Sequence, residues 1–177
     1  MVIRLRQWNH YDSELEPPPN NAPANWTLTL RLNVKLVALN RHDTPAHKGI
    51  AADLNGRPFR VEDWSTQAWN AFRHRYEYLI QRFWDDRFWL RTPENVVDLD
   101  WPRQRPTHRP NVRCRFQFRL VSTNNWHYRV FVYRVGRALF ERDARREFRS
   151  SSRLYDNRDV VSSGGQLTVA HEVGHLL

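Results

Sequence analysis

The chain has 177 residues, 40% hydrophobic and 13% aromatic, with eight tryptophans and a formal net charge of +9. That length and composition exclude a disordered chain and fit one domain with a sizeable core. A single cysteine, Cys114, excludes an intrachain disulfide, and the charge is carried by arginine, with Lys35 and Lys48 the only lysines; it suits an acidic partner or surface held by salt-sensitive contacts.

The N-terminal residues MVIRLRQWNHYDSELEPPP contain no apolar run long enough for a secretion signal, and no stretch of the chain approaches membrane-spanning length. Residues 11–25, YDSELEPPPNNAPAN, are rich in Pro, Asn and acids. Three consecutive prolines donate no backbone hydrogen bonds, so this segment reads as a linker or surface arm. The chain is thereby divided into an arm at residues 1–24 and a domain at residues 25–177.

Next, Trp26, Leu28, Leu30, Leu32, Val34 and Leu36 alternate with polar residues. Period two is the pattern of a half-buried strand. Residues 40–61 read as a long loop with a short strand near PFRVE. From Trp64, apolar residues recur at three- and four-residue steps through Ala68, Phe72, Tyr76, Ile80 and Trp84. This predicts a long amphipathic helix, capped by Asp63 or Ser65 and ended with the help of Pro93.

The proline-rich segment DLDWPRQRPTHRPNVR is expected to be irregular. Cys114, Phe116, Phe118 and Leu120 then alternate with polar residues, STNN reads as a turn and WHYRVFVYRV as a return strand. The two runs predict a β-hairpin. A short helix is expected over residues 137–149, a short strand in RLYDNRDVV, and a last helix starting within SSGGQLTVAHEVGHLL. The expected fold class is α+β, a mixed sheet with helices on one face.

The chemistry concentrates in HEVGH, His171 to His175. Positions i and i+4 share a helix face, so His171 and His175 can offer ring nitrogens to one ion, and neutral imidazoles suit Zn2+. Glu172 sits where its carboxylate can take a proton from an attacking water. Ser163 and Gln166 have the spacing of a capping box, and the flanks from Leu167 to Leu177 are uncharged.

The segment TVAHEVGHLL resembles the active-site helix of zincin metallopeptidases, and Gly174 between the glutamate and the second histidine resembles the metzincin branch in particular. The resemblance covers about the last fifteen residues. It implies a zinc metallopeptidase with His171 and His175 as metal ligands, Glu172 as the catalytic base, and a protein or peptide substrate extended along an edge strand, for which RLYDNRDVV is the candidate. Strand, long helix and hairpin are loosely similar to a metzincin N-terminal subdomain. Metzincins carry a third histidine six residues after the second, and a methionine turn later; this sequence ends at Leu177 and its one methionine is Met1. The preferred expectation is therefore a fragment of a longer polypeptide, with the third ligand unassigned; a third ligand from an unusual place and a catalytically incomplete site are the alternatives. A basic, signal-less peptidase module suits a toxin or effector delivered within a larger protein, with an inhibitor or immunity protein as a partner.

Other side chains have plainer explanations. Cys114 shares a strand face with Phe116 and Phe118, which suits a core thiol better than a zinc-blocking one. His10, Asp12, His42, Asp43 and His47 are the upstream groups available to complete a metal shell, but no spacing ties them to HEVGH. The arginines at 103, 105, 109, 113, 115 and 119, with Trp101, Phe116 and Trp126, resemble a nucleic-acid surface. A nucleic-acid-binding module, or a non-catalytic interaction domain, is the alternative function.

Overall fold

The structure, a computed structural model, describes residues 3–8, 10–17, 26–52, 56, 58–91, 111–136, 150–151, 153–161 and 167–177. Strand β1 is Ile3–Trp8, β2 Tyr11–Glu16 and β3 Trp26–Leu39; β4 is Ile50–Ala52 and β5 Pro58–Glu62. Helix α1 is Thr66–Trp84; β6 is Phe88–Arg91, β7 Asn111–Leu120, β8 Tyr128–Val135, β9 Leu154–Asp156, and helix α2 is Thr168–Gly174. The architecture is α+β, a mixed sheet with two helices among the described residues. None of these helices is long and apolar enough to cross a membrane.

Strand β3 organises the sheet. One of its edges pairs in antiparallel fashion with β2 and then in parallel with β8; the other pairs in parallel with β7. Val34 is paired on both sides, with Leu120 and with Tyr128. So β7 and β8 do not form the expected hairpin. The chain runs beside β3 as β7, crosses it within residues 121–127, and continues in the same direction on the far side. Parallel neighbours ordinarily need a long crossover. Here seven residues suffice because β7 lies along Trp26–Val34 and β8 along Val34–Leu39, end to end. Alternation identified both strands, but it carries no information on pairing.

A second difference lies at the N-terminus. Residues 3–16, expected within an arm, form the β1–β2 hairpin on the edge of the sheet. Tyr11, Ser13 and Leu15 alternate with three acids, and the Arg31 guanidinium meets the Glu14 carboxylate at 2.7 Å. In the expected loop, PFRVE is indeed a strand, paired with β4 and β8, and two short 3-10 turns precede it. The helix expected over residues 137–149 and the capping box of Ser163 and Gln166 lie outside the described residues.

Helix α1 forms where its periodicity places it. Ser65 Oγ accepts from the Ala68 amide at 3.2 Å, so Ser65 rather than Asp63 is the N-cap. Phe72, Tyr76 and Ile80, spaced by four, are buried against Leu32, Val34, Phe118 and Val130. Each such burial stabilises the fold by about 1.5–3 kcal/mol. The helix stops nine residues before Pro93, because Asp85 turns extended and Asp86 takes a positive φ of 57°. Pro93 itself lies outside the described residues.

The polar face of α1 has its own task. Glu77 accepts from the Leu120 amide at 3.2 Å, Gln81 accepts from Phe118 and donates to the Phe116 carbonyl at 2.9 and 2.7 Å, and Asp85 accepts from the Phe116 amide at 3.0 Å. Three side chains at four-residue spacing thus satisfy the edge of β7 beyond the reach of β6. This closes an edge that would otherwise template further pairing.

Candidate metal centre

Helix α2 is seated by one face. Val169, Ala170 and Val173 are buried, followed by Leu176, in the core that α1 and β8 share. Trp84, the last residue of α1, donates its indole N–H to the Ala170 carbonyl at 3.0 Å. A Cβ at Gly174 would stand 2.8 Å from Trp84 Cζ2, so glycine is required there by the packed indole. Among the described residues the helix has no side-chain N-cap, and its last turn tightens as the His175 amide reaches the Glu172 and Val173 carbonyls.

The opposite face carries His171 and His175, both exposed, with Glu172 partly buried beside them. Their rings stand at 88° with centroids 4.9 Å apart, and the two Nε2 atoms are 3.3 Å apart. Two ligands about 2.0–2.1 Å from one ion at the tetrahedral angle stand about 3.3–3.4 Å apart. The pair therefore fits two positions of a zinc shell. The same separation suits a ring-to-ring hydrogen bond, which an ion accepting both lone pairs would replace. Among the described residues no group of three or more His, Cys, Asp and Glu side chains is placed to hold a metal.

The upstream candidates sit elsewhere. His42, Asp43 and His47 occupy the 3-10 turns after β3, where Asp43 accepts from the Asn40 amide at 2.8 Å and His47 contacts the His42 carbonyl. Asp12 lies 3.5 Å from His127. His10 comes nearest to α2 in connectivity: its Nδ1 is 2.8 Å from the Tyr128 hydroxyl, which donates to the Leu176 carbonyl at 3.3 Å. Cys114 faces Phe88 across the β6–β7 pair, and burial pushes its thiol up, away from the thiolate that a metal requires.

Beneath α2 lies Tyr155 of β9, fully buried and edge-on to Tyr76 with ring centroids 5.6 Å apart. Among the described residues neither hydroxyl has a hydrogen-bond partner of ordinary geometry. Burial pushes both phenols above their ordinary range; for Tyr155 the neighbouring Tyr76 and then the Glu172 charge act the same way. Past β9, Asp159 accepts from the Asp156 amide at 2.8 Å and from the Ser150 hydroxyl. Burial, reinforced by the Asp156 charge, pushes its carboxyl up to about 7.

Strand β9, the candidate substrate edge, is already occupied on its outer side. Leu154 exchanges backbone hydrogen bonds with Ser151, and the Asp156 amide goes to Asp159. An extended peptide finds no open backbone there. Of the expected basic surface, Arg115 and Arg119 are exposed on the outer face of β7, Arg113 is paired with Asp86, and Phe116 is buried and unable to stack on a base. Trp126 carries the Arg129 guanidinium over its ring at 6.0 Å. Arg103, Arg105, Arg109 and Trp101 lie outside the described residues.

Sequence spacing found His171, Glu172 and His175 but not the residues that seat them. Trp84 read as one more apolar position of α1, and nothing in sequence tied it to Gly174, ninety residues away. The chain matches none of the protein-family models, curated proteins or solved structures with which it was compared.

Proposed function

We propose that this chain is a zinc-dependent peptidase in which His171 and His175 hold the metal and Glu172 is the catalytic base. The observation that carries the reading is the 3.3 Å separation of the two exposed Nε2 atoms, the bite of a tetrahedral ion. Zinc held there supplies Lewis-acid charge that polarises a peptide carbonyl and lowers the pKa of water.

The chain's own residues do the rest. The buried Val169, Ala170, Val173 and Leu176, with the Trp84 hydrogen bond to Ala170, hold α2 so that both imidazoles leave the same face. Glu172, between them in sequence, takes a proton from the attacking water and passes it to the departing amine. The third protein ligand stays unassigned in this reading. The resemblance of TVAHEVGHLL to zincins supports it as well, through the motif alone.

Quenched-fluorescent peptides incubated with zinc-loaded protein test the proposal. Cleavage should stop with a chelator and return with zinc, and Glu172→Gln should lower the rate at least about 100-fold, the usual worth of a general base. A Glu172→Gln protein that cleaves as well as the parent would refute the assignment.

A further inference from the structure

Four of the exposed large apolar side chains, Phe83, Phe88, Trp89 and Leu90, fall within eight residues where α1 ends and β6 begins. Scattered apolar residues on a surface need no explanation; those gathered around a groove do. Phe83 and Phe88 line a groove of about 490 Å3 together with Leu79, Leu167, Arg82 and Arg87. Leu167 immediately precedes α2, and Phe88 stacks on Trp84, the residue that seats α2. The groove therefore abuts the helix that carries Glu172.

We infer that this groove and the edge of β6 bind an extended acidic peptide segment, one bulky apolar side chain entering the groove and neighbouring carboxylates meeting Arg82 and Arg87. Calling that peptide the substrate rests on the peptidase reading; the docking itself does not.

Three features select this occupant. Among the described residues β6 pairs only with β7, and an extended peptide can add to the second edge of such a strand. Side chains of a strand alternate between faces. Phe88, paired with Cys114, therefore faces the helix side, and Trp89, paired with Arg113, faces the other. A peptide added in register presents alternate side chains to the groove.

Charge sets the sign of the partner. Arg82 donates to the Tyr78 hydroxyl, but neither Arg82 nor Arg87 has a carboxylate partner among the described residues. The nearby acids are engaged: Asp85 with the Phe116 amide and Asp86 with Arg113. Two guanidiniums without a carboxylate partner among the described residues, on a chain of net charge +9, repel a second copy and attract an acidic segment. A lipid surface would leave the β6 backbone unused.

The test uses the Glu172→Gln protein, so that bound peptide stays intact, and fluorescein-labelled decapeptides read by anisotropy. One peptide has a central leucine between glutamates; in two controls alanine replaces the leucine or lysines replace the glutamates. The expected result is saturable binding of the first peptide, weakened about tenfold or more by loss of the leucine. The Lys-substituted control should bind least, and binding should fall as salt is raised. Phe88→Ala and Arg87→Ala, both at exposed positions, should weaken binding while the far-UV circular dichroism is unchanged.

Equal affinity for all three peptides, or binding indifferent to Phe88→Ala, would overturn the inference. So would a Phe88-dependent dimer in light scattering, or a preference for vesicles of phosphatidylserine and phosphatidylcholine over the peptide. The two readings fail separately. Docking without cleavage by the zinc-loaded parent removes only the word substrate, whereas cleavage that Phe88→Ala leaves unchanged, with no anisotropy signal, removes only the groove.

Discussion

Gly174→Ala should destabilise the protein although alanine is the better helix former. The added Cβ would lie 2.8 Å from Trp84 Cζ2 and 3.1 Å from Cη2, against about 3.5–4.0 Å for ordinary carbon contact. The indole must retreat by roughly 0.7 Å or more to restore that distance. It is not free to do so: its N–H is bound to the Ala170 carbonyl, and its ring is stacked on Phe88 and packed against Phe83. Overpacking of this kind costs about 1–3 kcal/mol, while alanine over glycine recovers at most about 1 kcal/mol in a helix interior and less at the last helical position. The net expectation is a loss of about 1–2 kcal/mol. Urea denaturation followed by tryptophan fluorescence and circular dichroism reads it directly. Trp84→Phe, which shortens the ring, should make Gly174→Ala less costly, so the double mutant should lose less than the sum. If Gly174→Ala is as stable as the parent or more so, the glycine merely ends a helix and the account of how α2 is seated is wrong.

Gln81→Ala should cost about 1–3 kcal/mol, because it strands both the Phe116 carbonyl and the Phe118 amide at the edge of β7; a urea midpoint unchanged from the parent would mean that water replaces the side chain freely. Asp159 gives a pH signature. Its folded carboxyl titrates near 7 and its unfolded one near 4, so across that window the folded state holds a proton that the unfolded chain releases, and this group's contribution to stability declines as pH rises. Below about pH 4 that contribution is fully present. Asp159→Asn should therefore flatten the fall in urea midpoint between pH 5 and 8, and parallel profiles for parent and variant would contradict the assigned shift.

How much of this was legible in the sequence depended on whether the signal was local. The strand from Trp26 and the helix through Phe72, Tyr76 and Ile80 announced themselves because burial on one face imposes a period on neighbouring residues. Strand β3 runs three residues further than its alternation, to Leu39, since its last part continues to pair with β8. The β7–β8 pairing differs from the expected hairpin because a turn-like STNN between two strands suits a crossing as well as a hairpin. Strand β2 was hidden by the prolines that follow it. At the candidate site, i and i+4 spacing sufficed for His171 and His175, whereas Trp84, Gln81 and Tyr155 act through contacts made far along the chain, which no local pattern encodes.

The proposed chemistry requires the two histidines to hold one zinc ion. Equilibrium dialysis of the parent, His171→Ala, His175→Ala and Glu172→Gln proteins against micromolar zinc, with metal counted by mass spectrometry, tests it most directly. About one equivalent is expected in the parent and in Glu172→Gln, since the glutamate is not a ligand, and none in either histidine variant. Zinc retained by both histidine variants, or absent from the parent, would contradict it.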